Sequence, residues 1–151
     1  LPFNISTILL TKWISDNEWP SFFNKMVLMF QREVADRILA SHNNKIYGRL
    51  SVLVQSRCNV KKILDAPASI FSPKPKVDGT VIQLEPIDNY SKINFNNLEK
   101  LLEQSFSSRR KKIKNTLRKH KQSLKKLDID ENLRPENLSV SNYCDLVKLI
   151  N

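Results

Sequence analysis

The chain has 151 residues, which is enough for one domain or for a large domain with a small one. Its two glycines, Gly48 and Gly79, exclude a Gly-rich phosphate or dinucleotide loop, which needs at least two closely spaced glycines. Two cysteines exclude a disulfide framework and a four-cysteine zinc site, and two histidines leave little material for any metal site. No apolar run approaches the roughly 20 residues of a membrane span. With 25 Lys and Arg against 15 Asp and Glu, the net charge is +10, so we expect a basic, reduced, cytoplasmic protein.

Apolar spacing predicts alternating helices and strands in the first half of the chain. Helices are predicted where apolar residues recur three or four apart, at residues 4–15, 32–41 and 47–57. Strands are predicted at short apolar runs, at residues 26–30, 59–64 and 77–84. The first of these runs, Met-Val-Leu-Met-Phe, has the length of a strand buried on both faces, as in a parallel sheet. Residues 71–76 hold two prolines two positions apart, which excludes regular structure there.

The second half of the chain predicts helices only. Apolar residues at three- and four-residue spacing predict an amphipathic helix over residues 98–106, and further helices are expected over 109–126 and 140–147. We therefore predict an α/β part over residues 1–88 and an all-helical part over residues 89–151. Three strands are few for a parallel sheet, and the chain opens on Leu-Pro-Phe rather than methionine. Both observations favour a fragment whose first strands lie upstream.

The net charge is concentrated in residues 109–126, which we call the basic segment. It holds ten Lys and Arg and no acid, whereas the rest of the chain has 15 bases against 15 acids. Such a cluster suits a nucleic-acid phosphate backbone, because binding releases condensed counterions. A solvated helix face and a membrane surface are the alternatives. Ten like charges repel one another on an unpartnered helix, which favours a polyanionic partner.

Six ordered blocks resemble one family of enzymes. They are Leu-Pro-Phe-Asn-Ile-Ser-Thr at residues 1–7, Phe-Gln-Arg-Glu-Val-Ala-Asp-Arg at 30–37, Tyr-Gly-Arg-Leu-Ser-Val at 47–52, Phe-Ser-Pro-Lys-Pro-Lys-Val-Asp at 71–78, and parts of 105–117 and 134–143. In this order the blocks resemble the small-subunit ribosomal RNA adenine dimethyltransferases, with the erythromycin-resistance methylases and mitochondrial transcription factor B proteins as relatives. The resemblance implies an α/β fold: the C-terminal half of a Rossmann-like methyltransferase domain at residues 1–88, then a helical RNA-binding domain at 89–151.

The implied reaction places two methyl groups from S-adenosylmethionine on the exocyclic amine of adenine. Because the amine lone pair is delocalised into the ring, catalysis consists mainly of positioning and electrostatics. By the resemblance, an Asn before Leu1 and the Leu1 carbonyl accept hydrogen bonds from the amino group, Pro2 stiffens the loop, and Phe3 and Phe71 flank the flipped base. Composition alone favours Phe3 and Phe71 as core residues. That Asn and the cofactor site would lie mostly upstream of Leu1, so we expect this chain alone to be inactive.

The resemblance also implies the RNA contacts. The predicted phosphate ligands are Arg109, Arg110, Lys111, Lys112, Lys114, Arg118, Lys119 and Lys121, with Lys74 and Lys76 beside the base pocket. For the last two, solvated loop lysines are the alternative. The expected partner is small-subunit ribosomal RNA or a pre-30S-type particle, bound by a monomer with no membrane contact, in ribosome biogenesis. Two alternatives stay open: a non-catalytic RNA-binding or assembly factor, and a resistance-type methylase acting on large-subunit RNA.

Overall fold

The structure is a computed structural model and describes residues 5–16, 19 and 22–150. Three strands and seven helices lie in these ranges: α1 (Ser6–Ile14), β1 (Met26–Gln31), α2 (Arg32–Leu39), α3 (Arg49–Arg57), β2 (Cys58–Ala66), β3 (Gly79–Pro86), α4 (Phe95–Ser105), α5 (Ile113–Thr116), α6 (Lys121–Lys126) and α7 (Val140–Ile150). Single 3-10 turns lie at Ala68–Ile70, Arg118–His120 and Pro135–Asn137. In the described ranges, no helix combines the length and apolarity that crossing a membrane requires.

The three strands form one sheet in the order β1-β3-β2, with both pairings antiparallel. The parallel pairing predicted for the run at residues 26–30 is therefore wrong for the described sheet. A continuous apolar run indicates burial and does not report strand direction. Burial of both faces is also incomplete, because Phe30 is fully buried whereas Val27 is 56% exposed. A shift of register between Lys62 and Leu64 marks a bulge in β2.

Helices α2 and α3 pack against the sheet, and α3 also contacts α4 and α7. The core is continuous across residue 88: Phe30 and Ile82 of the sheet belong to the same buried cluster as Leu98 and Val147. After β3 the described chain is helical or irregular, as the spacing predicts. Asn94 begins α4 by accepting a hydrogen bond from the backbone N–H of Asn97 at 3.1 Å.

One buried cation lies where the sheet meets the later helices. Arg57, at the end of α3, is 1% exposed, and its guanidinium carbon stands 5.1 Å from the ring centroids of both Trp19 and Phe95. Two aromatic faces attract the desolvated guanidinium through their quadrupoles. Ile87 reinforces this corner, because its carbonyl accepts the Trp19 indole N–H and its own N–H donates to the Arg57 carbonyl.

The basic segment does not form the single helix that we predicted. Residues 109–111 form a turn and a bend and Lys112 is irregular; α5, the turn Arg118–His120 and α6 follow. The helix begins at Ile113 because the N–H groups of Ile113 and Lys114 donate to the carbonyls of Leu133 and Glu131, at 2.8 and 3.0 Å. It is interrupted at Leu117, where ψ is 28°. The buried side chains of Ile113, Leu117 and Leu124 anchor these short pieces to the core.

Candidate functional site

The basic segment presents a groove of about 620 Å³. Three cations line it, Lys111, Arg118 and Lys119, and all three are exposed. Its other lining residues are hydrogen-bonding and uncharged, namely Gln104, Ser107, Ser108, Asn115 and Thr116. No acid occurs among the described residues that line this groove, which we call the acid-free groove. Cations with hydroxyl and amide groups are the side chains that contact phosphate and sugar in nucleic-acid complexes.

The remaining predicted phosphate ligands of the segment also reach solvent. Arg110, Lys112, Lys114 and Lys121 are exposed and lie along the turn before α5, in α5 and at the start of α6. They do not line the acid-free groove. The structure therefore divides the predicted ligands between this groove and the surface around it.

Arg109 differs from the other bases because the protein holds its guanidinium. Its Nη2 donates to the Tyr47 carbonyl at 2.6 Å, and its Nη1 donates to the Lys45 carbonyl. The guanidinium carbon also lies 5.7 Å from the Phe106 ring centroid. A Cβ at Gly48 would stand 2.8 Å from Nη2, so the absence of a side chain there makes room for this contact. Arg109 thus ties the end of α4 to the turn before α3.

A second groove of about 720 Å³ lies beside Arg109. It brings together bases that lie far apart in the chain, Arg37, Lys45, Arg49 and Arg109, with Glu99 as the one acid among its described lining residues. Glu33 pairs with Arg37 at 2.7 Å on α2. Sequence reasoning missed this convergence, because outside the basic segment acids and bases balance in number and only the fold separates them in space.

The proposed base pocket is described only in part. Leu1, Pro2 and Phe3 lie outside the described residues, and α1 begins at Ser6 just after them. Phe71 is half-buried and follows the turn Ala68–Ile70 directly, at the start of the irregular stretch predicted from its prolines. Whether these residues meet around a base therefore stays a prediction.

Lys74 and Lys76 are exposed and line a groove of about 570 Å³ with Arg32. Unlike the acid-free groove, this one also has acidic lining residues, Glu33, Asp36 and Asp78. The mixed charge weakens the attraction that it offers a polyanion. These two lysines are accordingly weaker phosphate candidates than the cations of the acid-free groove.

The strongly perturbed ionisable groups are buried and structural. Burial raises the pKa of Tyr47 and of Tyr143, whose hydroxyls donate to the carbonyls of Leu138 at 2.8 Å and Pro135 at 2.7 Å. Burial also raises the pKa of the Cys58 and Cys144 thiols to about 12. The four groups therefore stay protonated at neutral pH and supply neither a base nor a nucleophile. His120 shifts the other way: desolvation, and then Lys119, lower its pKa.

The described residues do not fit an S-adenosylmethionine site. Gly48 lies so close to the Arg109 guanidinium that a Cβ there would stand 2.8 Å from Nη2. Gly79 lies in β3, paired with Gln31 and Ala66 of the two neighbouring strands. Neither forms a glycine-rich loop that could approach an adenosyl or methionine group.

Comparison with known proteins agrees with the sequence blocks. The family model for ribosomal RNA adenine dimethylase matches residues 1–151. Ribosomal RNA small subunit methyltransferase A of Ehrlichia chaffeensis is 45% identical over 100% of this chain and 58% of its own length. The protein of the same name from Pelagibacter ubique is 46% identical over 98% of this chain and 58% of its own length. The chain thus spans a little over half the length of these relatives.

Solved structures agree on the fold. The dimethyladenosine transferase of Plasmodium falciparum superposes with a TM-score of 0.88 at 29% identity, over 100% of this chain and 64% of that one. The 23S rRNA methyltransferase ErmE gives a TM-score of 0.61 at 16% identity, over 98% of this chain and 62% of that one, and so supports the fold alone. The antiparallel sheet and its helices are consistent with part of a Rossmann-like methyltransferase domain. With a family model that matches every residue, the chain belongs to the ribosomal RNA adenine dimethylase family.

Proposed function

We propose that the full-length protein dimethylates the exocyclic amine of adenines in small-subunit ribosomal RNA during ribosome biogenesis. The observation that carries this proposal is the family match over residues 1–151, joined to relatives named for the small ribosomal subunit. Since the chain covers 58% of those relatives, we assign the activity to the full-length protein and expect none from this chain alone.

The acid-free groove is the proposed binding site for the RNA backbone. Lys111, Arg118 and Lys119 attract phosphates with no acid among the described lining residues to oppose them. Binding there releases counterions and is therefore salt-dependent. Hydroxyl and amide groups of the groove suit phosphate oxygens and 2′-hydroxyls, by which proteins recognise structured RNA through shape. Arg109 acts mainly by holding the turn before α3, and Arg110 and Lys112 extend the basic surface.

For the chemistry, S-adenosylmethionine is the proposed methyl donor. The Leu1 carbonyl accepts a hydrogen bond from the amino group of the target adenine and so orients its nitrogen, while Pro2 restricts the loop. Phe3 and Phe71 stack on the two faces of the extruded base. These roles follow from the family resemblance. Phe71 is half-buried, so part of its side chain is open to a ligand, and this supports its proposed stacking on the base.

The proposed organisation divides the chain into the second half of the methyltransferase domain, residues 1–88, and an RNA-binding helical domain, residues 89–151. All strands in the described ranges lie before residue 88, and the acid-free groove lies after it. We propose a monomer that works in the cytoplasm on ribosomal RNA or a pre-30S-type particle. Two free buried thiols, Cys58 and Cys144, suit a reducing compartment.

The test is methyl transfer by the full-length gene product, with S-adenosylmethionine and either unmethylated small subunits or large-subunit RNA. Mass spectrometry of nucleosides should find dimethyladenosine in the small-subunit RNA only. Dimethyladenosine in large-subunit RNA would favour the resistance-type methylase. Tight binding of small-subunit RNA without any methylated product would favour a non-catalytic assembly factor.

A further inference from the structure

Asp78 joins three segments at the corner where the loop carrying Phe71 returns to β3. Its Oδ1 accepts a hydrogen bond from the backbone N–H of Ala68 at 2.8 Å. Its backbone carbonyl accepts from the N–H of Arg32 at 2.9 Å, and its Oδ2 lies 3.9 Å from Arg32 Nη1. One acidic residue therefore ties the turn Ala68–Ile70 to the first residue of α2.

The turn depends on that carboxylate for its first backbone donor. The N–H of Ala68 takes no part in the hydrogen bonds inside the turn, which run from the Ile70 N–H to the Pro67 carbonyl and from the Phe71 N–H to the Ala68 carbonyl, each at 3.2 Å. Ala68 is 6% exposed, so water does not replace the carboxylate easily there. The Asp78 carboxylate therefore fixes Ala68, and the Ala68 carbonyl in turn accepts a hydrogen bond from the N–H of Phe71.

A second carboxylate in the same corner has different contacts. Asp65 of β2 accepts from the Thr80 hydroxyl at 3.4 Å and pairs with Lys62 at 2.8 Å. Its side chain is 43% exposed, against 48% for Asp78. Both acids are similarly exposed, but the hydrogen bond and the ion pair of Asp65 stay within the sheet. Asp65 provides a matched control for Asp78.

We propose that Asp78 is a positioning residue that fixes where the Phe71 ring stands against the target adenine. The proposal rests on the proposed function, in which Phe71 stacks on the extruded base. Asp78 acts through the turn Ala68–Ile70 and touches neither base nor cofactor. If the Phe71 ring is already fixed when the base arrives, it does not have to be ordered during the reaction. The contribution of Asp78 should therefore appear in kcat. RNA affinity, which we place mainly in the acid-free groove elsewhere on the surface, should change little.

The experiment measures kcat and KM for methyl transfer to unmethylated small subunits by the full-length gene product. Phe71→Ala should lower kcat about tenfold, the scale of one lost base–aromatic stack. Asp78→Ala should lower kcat by a similar factor at unchanged KM. Asp78→Asn keeps an acceptor oxygen for the Ala68 N–H and should recover most of the loss. Asp65→Ala should match the wild type. Adding Asp78→Ala to Phe71→Ala should lower kcat no further.

Several outcomes overturn the proposal, and each is distinguishable from failure of the proposed function. If Phe71→Ala is impaired while Asp78→Ala matches the wild type, only the positioning role fails. Equal losses in Asp78→Ala and Asp65→Ala, or an Asp78→Ala loss that multiplies with that of Phe71→Ala, would indicate a general structural effect instead. Wild-type kcat in Phe71→Ala would remove both the role of Phe71 and that of Asp78. No methyl transfer by the wild type would remove the proposed function itself. Hydrogen exchange at the Ala68 amide, faster in Asp78→Ala and normal in Asp78→Asn, reports the turn in variants that fold.

Discussion

Replacing Arg109 by Ala should destabilise the protein, whereas replacing its neighbour Arg110 should not. Arg109 donates to the carbonyls of Lys45 and Tyr47, while Arg110 is an exposed turn residue. Hydrogen bonds from a charged donor contribute about 1.5–3 kcal/mol each when well buried, and each contributes less here because Arg109 is exposed. We therefore expect Arg109→Ala to cost about 2 kcal/mol in total, or about 4–8 °C in Tm for a chain of this size. Arg110→Ala should stay within about 0.5 kcal/mol of wild type.

The same contact can be broken from its other side. In Gly48→Ala the new Cβ would stand 2.8 Å from Arg109 Nη2 and would displace the guanidinium from the Tyr47 carbonyl. Gly48→Ala should therefore destabilise the wild type and be neutral or slightly stabilising when Arg109 is already Ala. Urea unfolding of the four variants measures this coupling. Equal costs of Gly48→Ala in both backgrounds, or equal costs of Arg109→Ala and Arg110→Ala, would refute the assignment of Arg109 as a clamp.

Three further predictions concern the groove, the buried thiols and a helix cap. Replacing Lys111, Arg118 and Lys119 by Ala should reduce the slope of log K for RNA binding against log salt by roughly one per lost phosphate contact. Replacing the exposed Lys61, Lys92 and Lys100 by Ala should leave that slope unchanged. Equal slopes for the two triple variants would place the RNA elsewhere. Because burial raises the pKa of Cys58 and Cys144 from 9.0 to about 12, the free energy of unfolding should fall as pH rises through 9–12; stability unchanged over that range would contradict their burial. Asn94→Ala should cost about 1 kcal/mol in urea unfolding, by loss of the α4 cap.

Local patterns predicted most elements, and long-range contacts explain what they missed. The runs at residues 26–30 and 59–64 do form strands, and the spacing over 98–106 lies on a helix that begins at Phe95. Strand direction was not predictable, because an apolar run looks the same in either pairing. The prediction of a single basic helix was wrong because the start of α5 depends on the carbonyls of Leu133 and Glu131, about 20 residues further along the chain.

In the candidate site, too, local sequence patterns predict some features, whereas others depend on long-range contacts. Exposure of the basic segment follows from its composition, since so many like charges cannot be buried together. The clamp at Arg109 joins residues more than 60 positions apart, and no spacing rule signals it. Asp78 lies in a block that resembles the family, but its hydrogen bond to Ala68 becomes visible only when the loop is folded. Sequence thus predicts candidate functional segments, but it does not predict the contacts by which these segments hold one another.

The most direct measurement of the proposed activity is nucleoside mass spectrometry of small-subunit RNA from cells that lack their own adenine dimethyltransferase. Expression of the full-length gene product should restore dimethyladenosine in that RNA. A variant with Lys111, Arg118 and Lys119 replaced by Ala should restore less, because RNA binding in the acid-free groove is weakened. Full expression of a folded protein with no dimethyladenosine in the small-subunit RNA would contradict the proposed function.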